Sequence, residues 1–344
     1  MTTRVAFLFP GQGSQAVGMG ADIFQTSPTA RRVFESVDEA LGFSLSQLCF
    51  TGPDEALRET INAQPAIVTV SLALLAALQE ALAGKESASS VSWTVPLAPA
   101  YTAGHSVGEY AALVVSGSLE LADAARLVRE RGRLMHHEGT VCPGGMTAII
   151  ALNEDVLREV CEQATAQASA QKTGAHPGEG HVAIANYNAP GQIVISGELK
   201  ALDLAMKLAR ERGAKKVMPL SVSGAFHSPV MQPAAEGLAR VIASTTVNDA
   251  RIPLIGNMQG SPLTGAQEIR EELAGQIAAS VQWIRSIEYL VNEGVTTFIE
   301  IGPGQALTGI IKRIAKGTTL MNVSSGEDII EVVGMLREVG LAGA

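Results

Sequence analysis

Gly104-His105-Ser106-Val107-Gly108-Glu109-Tyr110 sets a serine between two glycines at the spacing of a sharp strand-to-helix turn. The glycines permit backbone angles that a side chain would block. Downstream, Val107 to Ser116 is apolar and alanine-rich enough for a helix, whose N-terminal NH groups would face any oxyanion formed beside Ser106. Upstream, Leu97 to Ala103 contains Pro99 and little β-branching, so the strand before the turn should be short. This geometry suits acyl transfer on a serine hydroxyl.

Working toward the N-terminus, segment 84–98 is polar and then proline-marked, which predicts an exposed loop. Ala66 to Ala83 is apolar but carries Thr69, Ser71, Gln79 and Glu80, and is predicted to be a buried helix rather than a membrane span. Val5 to Phe9 is a strand running into Pro10-Gly11-Gln12-Gly13-Ser14-Gln15, too short an apolar stretch for a signal peptide. Toward the C-terminus, Ser118 is the expected N-cap of a helix reaching about Glu138.

After Cys142-Pro143-Gly144-Gly145 the periodicity changes. Strand Met146–Leu152, a helix from Asn153, strand His181–Ala185, strand Gln192–Ser196, helix Glu198–Gly213 and strand Lys216–Val222 follow in turn. That is the split βαβ, ferredoxin-like order. It predicts a small βαββαβ domain at 142–218 inserted into a larger α/β domain made of 1–141 and 219–344. Within the insertion, 164–180 has few large apolar residues and is expected to be a mobile loop. A strand at Thr296–Ile301 then turns through Gly302-Pro303-Gly304, and Thr319–Val323 with Glu327–Val339 closes the chain's pattern.

Composition bounds the function. With 344 residues, 47% hydrophobic and 17% charged, the chain can bury a large core and fits a two-domain enzyme. A net charge of -9 with no long basic run argues against nucleic acid as a partner. Cys49, Cys142 and Cys161 are far apart with no CxxC spacing, so neither a disulfide framework nor a metal site is expected, and a reducing cytoplasm fits. His136-His137-Glu138 also lacks metal-ligand spacing on one helical face. Gly11-Gln12-Gly13-Ser14-Gln15-Ala16 loosely matches a dinucleotide loop, but Pro10 precedes it and no acidic strand end follows at the right distance to hold a ribose.

Serine needs a base. Among six histidines, His105 adjoins Ser106 and should shape the turn, His136 and His137 sit late in a helix, and His176 and His181 lie in or beside the expected loop. His227, in Ser223-Gly224-Ala225-Phe226-His227-Ser228-Pro229, is the remaining candidate, the other reading being a histidine packed in a loop. Arg131 falls in the middle of an apolar helical stripe of Ala124, Leu127, Val128, Leu134 and Met135. A guanidinium there must find an anion, either a structural carboxylate or a ligand.

Together, Pro10–Gln15, Gly104–Tyr110, Arg131, Gly224–Pro229 and Ile301-Gly302-Pro303-Gly304 resemble the malonyl-CoA:acyl-carrier-protein transacylase family over nearly the whole chain. The resemblance implies a large α/β-hydrolase-like domain with a ferredoxin-like insertion. It makes Ser106 the nucleophile, His227 the base and Gln276 the source of the carbonyl that orients it. It gives the oxyanion hole to the NH groups of Gln12 and Val107, the malonyl carboxylate to Arg131, and pocket positions to Gln64 and His105. Malonyl-CoA is then a substrate, acyl carrier protein the partner, and no cofactor, nucleic acid or membrane is involved. An acidic carrier implies a basic docking patch, at Lys207, Arg210, Arg212, Lys215 and Lys216 or at Lys312, Arg313 and Lys316. A polyketide-type acyltransferase, a serine hydrolase or thioesterase, and a non-catalytic carrier-binding protein are the competing readings.

Overall fold

Five consecutive buried residues, Val5–Phe9, form a central strand because an apolar run covered on both faces suits the middle of a parallel sheet. A computed structural model describes residues 4–84, 91–170, 174 and 176–341. Its strands are β1 Val5–Phe9, β2 Tyr101–Gly104, β3 Gly144–Ile150, β4 Val182–Ala189, β5 Gln192–Glu198, β6 Lys216–Pro219, β7 Leu254–Ile255, β8 Pro262–Leu263, β9 Thr297–Ile301 and β10 Thr319–Val323. The first sheet runs β10-β9-β1-β2-β7-β8 and is parallel except for β8. Helices cover both its faces, and the loops after β1 and β2 emerge side by side at its carboxyl edge, where open α/β sheets bind ligands.

The second sheet is antiparallel in the order β4-β5-β3-β6, with helices Glu154–Ser169 and Leu199–Glu211 on one face. This is the ferredoxin-like arrangement, set into an α/β fold as expected. The opposite face, carrying Met146, Ala148, Ala185 and Val194, packs into the main core instead. The site cleft lies along that contact.

Several boundaries differ from the sequence reading. Ser118 does not cap a helix: Gly117 turns left-handed (φ 81°), Ser118 NH returns to Leu113 C=O, and the pair closes the preceding helix. The next helix begins at Leu121, after Glu120, and runs to Val141. β3 starts two residues early because Gly144 and Gly145 pair with β5, and β6 ends at Pro219, with one more bond beyond it from Leu220 NH to Met146 C=O at 2.9 Å. Residues 164–169 are helix rather than loop, since Ala164 and Ala168 are small enough to pack against the second sheet. Nor is His176 loose: its Nε2 contacts Glu138 Oε1 at 2.5 Å and its Nδ1 accepts from Gly178 NH at 3.0 Å. The rest of that expected loop, 171–173 and 175, lies outside the described residues. Of 84–98, residues 85–90 also lie outside them, while Leu97 is buried and tied at NH and C=O to the Gln79 side chain, so that part is not simply exposed.

The helix Thr60–Ala83 is long and apolar enough to cross a membrane, yet 83% of its most apolar window is buried inside the fold, as expected of a core helix.

Candidate active site

Steric crowding dictates the elbow. A Cβ on Gly104 would lie 2.0 Å from Gly108 C, and one on Gly108 would lie 2.2 Å from Phe9 O, so neither position admits a side chain. Between them Ser106 is held at φ 52°, a left-handed conformation costing a non-glycine residue roughly 1–2 kcal/mol. Asn257 offsets this strain: its Oδ1 accepts from Ser106 NH at 2.7 Å and its Nδ2 donates to Gly104 C=O at 2.7 Å.

Ser106 Oγ meets His227 Nε2 at 2.7 Å. His227 Nδ1 faces two main-chain carbonyls, Gln276 at 3.0 Å and Ala279 at 3.1 Å. Carbonyls only accept, so the ring proton belongs on Nδ1 and Nε2 is left free to accept from the hydroxyl. No carboxylate is needed to fix this tautomer. Burial, and next the positive charge of Arg131, push the His227 pKa down to about 3.

Arg131 is 1% exposed and its partners are neutral oxygens: Gln64 Oε1 at 2.7 Å, Gln276 Oε1 at 2.8 Å and Ser106 Oγ at 3.0 Å. Its Nε has no partner, and among the described residues no carboxylate forms a salt bridge with it. The Glu109 carboxyl acts on it only from a distance, so this buried cation has no anion in direct contact and is open to one.

The loop carrying one expected oxyanion donor packs against the elbow that carries the other. A Cβ on Gly11 would lie 2.8 Å from His105 C=O, so the loop carrying Gln12 lies against the elbow, while Val107 heads the helix Gly108–Val115. Gln12 also donates from its side chain to Thr60 at 3.1 Å. Gln64 is fully buried behind the guanidinium. The His105 ring donates from Nε2 to Asn188 Oδ1 at 2.9 Å and packs near Trp283, away from any role as base to Ser106.

Of these groups, Gln12, His105, Ser106 and His227 border a cavity of about 160 Å³ between the two sheets, with Met135 and Phe226 beside them and Met146, Asn186, Asn188 and Val194 on the other side. That is well below the roughly 300–1,000 Å³ of sites that engulf a drug-sized ligand, and its size suits a short acyl unit rather than a whole donor molecule. Larger hollows of about 540 and 660 Å³ occur elsewhere, and neither is lined by Ser106 or His227.

Asn257, Asn186, Asn188 and the carbonyl of Ala279 were not visible as site residues in the sequence. Nor does the sequence assign a role to Glu109, which lies within the elbow motif. It is buried completely, and burial together with nearby Glu272 raises its carboxyl above the usual carboxylate range.

The His227 shift has a testable consequence. The unfolded imidazole protonates near 6.5 and the folded one near 3, so its contribution to stability is complete above pH 6.5 and is lost as pH falls toward 3. In catalysis the free site keeps a neutral base well below pH 6.5. A bound carboxylate cancels the Arg131 charge and raises the imidazole pKa again. The acid limb of kcat/KM is therefore expected at lower pH than that of the acylation rate at saturating donor, measured by stopped-flow pH profiles.

An α/β sheet with a serine elbow and a carbonyl-oriented histidine defines an enzyme of serine-based acyl chemistry. The acyl transferase domain model matches residues 6–341. The chain belongs to the malonyl CoA-acyl carrier protein transacylase family. It is 41% identical over 336 residues to the transacylase of that name from Bacillus subtilis, covering 98% of each chain. Acyl-carrier-protein-S-malonyltransferase from Bartonella henselae shares 38% identity at TM-score 0.87, covering 98% of this chain and 100% of that one. A malonyl-transacylase solved in complex with its type II PKS acyl-carrier protein shares 33% identity at TM-score 0.85, with 97% and 100% coverage.

Proposed function

We propose that this chain moves a malonyl group from malonyl-CoA to the phosphopantetheine thiol of acyl carrier protein through a malonyl ester on Ser106. The observation carrying this reading is Arg131, a buried cation that makes direct contact with no carboxylate among the described residues and touches the nucleophile's own oxygen. A malonyl ester has one methylene between its carbonyl and its carboxylate, short enough for one guanidinium to hold the acid while the carbonyl stays at Ser106.

His227 Nε2 takes the Ser106 proton as Oγ attacks the thioester carbonyl. The NH groups of Gln12 and Val107 stabilise the tetrahedral oxyanion, and CoA leaves with the proton from His227. The carrier thiol then gives its proton to His227, attacks the ester, and Ser106 leaves with that proton. Each step uses the chain's own groups, with no cofactor. Three free, buried cysteines support a reducing cytoplasm as the setting.

The test is intact mass after mixing with malonyl-CoA or acetyl-CoA. A stable malonyl adduct with little acetyl adduct is expected, and is discharged by holo-carrier. Rapid loss of the adduct in water without carrier would instead indicate a hydrolase.

The two basic clusters join at their near ends. Ile150 of β3 pairs with Lys216 of β6 on one side and Gln192 of β5 on the other. Arg313 donates to Gln192 Oε1 at 2.7 Å and Pro190 C=O at 2.5 Å. Lys215, Lys216, Lys312 and Arg313 thus share one rim, and the Pro190 turn leads directly to Asn188 in the cavity. This rim is the docking surface we favour for an acidic carrier. Reversing Lys216 and Lys312 to glutamate should raise the carrier KM by about five- to tenfold at low salt, with malonyl-CoA acylation unchanged. An unchanged KM would exclude this rim.

A further inference from the structure

Glu109 is the one charged residue on the helix Gly108–Val115 and has no exposed surface. Its Oε2 accepts from Asn257 NH at 3.2 Å, from Asn257 Nδ2, and from Gln276 Nε2 at 2.8 Å. These two amides hold the rest of the site. Asn257 Oδ1 takes Ser106 NH, while Gln276 presents its main-chain carbonyl to His227 and its side-chain Oε1 to Arg131.

A side-chain amide has a donor end and an acceptor end of nearly the same shape, so its surroundings must decide which way it turns. An acceptor oxygen at Glu109 requires NH₂ from both. Gln276 then has its carbonyl directed at the guanidinium. Turned the other way, its NH₂ would meet Arg131 donor to donor and its oxygen would meet Oε2 acceptor to acceptor. The second oxygen, Oε1, is buried without a partner, so the contacts to the amides run through one acceptor atom rather than a carboxylate fork. The other acid nearby, Glu272, is engaged with Met258 NH at 2.8 Å.

We infer that Glu109 is a positioning residue for acyl selectivity: its Oε2 fixes the orientation of the Gln276 amide, and through it the aim of Arg131 at the acyl carboxylate. The inference rests on the malonyl reading of the site, and it concerns reach and acceptor character rather than charge.

Two near-isosteric variants separate these. Glu109→Asp keeps the carboxyl group and shortens the reach, so it cannot meet both amides. Glu109→Gln replaces the carboxyl by a neutral amide and keeps an acceptor oxygen at the Oε2 position. The readout is the single-turnover rate of Ser106 acylation by malonyl-CoA and by acetyl-CoA. E109D is expected to lower the malonyl-to-acetyl ratio by about tenfold or more, with E109Q within about threefold of the parent chain. An unchanged ratio in E109D, equal losses with both donors, or an E109Q ratio as low as that of E109D would overturn the inference. Should E109D fail to fold, Gln276→Met, which keeps the main-chain carbonyl to His227, is expected to lower the same ratio by about tenfold or more, and an unchanged ratio there overturns it equally. The parent chain run alongside distinguishes the two levels: no malonyl preference in it would sink the functional proposal, not the Glu109 assignment alone.

Discussion

Ser106→Ala removes the malonyl adduct entirely and lowers transfer to the carrier by on the order of 10⁴ to 10⁶. Ser106 Oγ is the oxygen that faces the free nitrogen of His227, and the neighbouring His105 ring is committed to Asn188. Deleting the hydroxyl leaves the backbone NH groups and Arg131 in place, so binding survives. Arg131 loses one neutral partner, Ser106 Oγ, and keeps Gln64 and Gln276. Affinity for malonyl-CoA, measured by calorimetry, should therefore stay the same or tighten while turnover vanishes. His227→Ala should produce a loss of similar size, and the double variant should be hardly worse than either single one, because the two groups act as a unit. An ester forming at normal rate in Ser106→Ala, found by intact mass and peptide mapping, would move the nucleophile elsewhere.

The elbow, β1, β9, β10 and the element order of the second sheet were legible in the sequence because each depends on local pattern: glycine placement, apolar runs and a change of period. Arg131 was legible for a related reason, a charge on an apolar stripe. The same test applied to Gly108–Val115 singles out Glu109, an acid on an otherwise apolar helix. Asn257 offered no such signal. It is a lone amide in a loop after a two-residue strand, and only the approach of that loop to the elbow gives it a role. Asn188 gains its role only where β4 meets His105, and the joined basic rim depends on strand register across β6, β3 and β5, neither of which a local pattern encodes. Where local signals misled, a competing local interaction won. Ser118 has the chemistry of a cap, but the left-handed Gly117 draws it into closing the previous helix. The alanines of 164–169 lack bulk, yet small side chains are what a helix needs to lie close on a sheet.

Arg131→Ala is expected to change which acyl group the site accepts. In the parent chain an acetyl donor leaves the guanidinium buried beside neutral oxygens, and a buried charge deprived of its partner costs about 3 to 5 kcal/mol, a factor of about 10² to 10³ or more in rate. A malonyl donor avoids that cost by supplying the anion. Alanine removes the charge, so the acetyl donor no longer strands a cation, while the malonyl carboxylate now enters an apolar corner unpaired. Malonyl acylation should fall by about 10² to 10³ and acetyl acylation should hold or rise, collapsing the preference. His227 also loses its second largest source of pKa depression, so the acid limb of acetyl acylation should move upward from about 3 toward 6.5, the ordinary value of a histidine. The two readouts check each other: a selectivity loss without the pH shift would mean that the cavity changed shape rather than charge. Equal losses for both donors, with Ser106 still acylated at a reduced rate, would show that Arg131 holds the catalytic pair in register and does not read the substrate's acid.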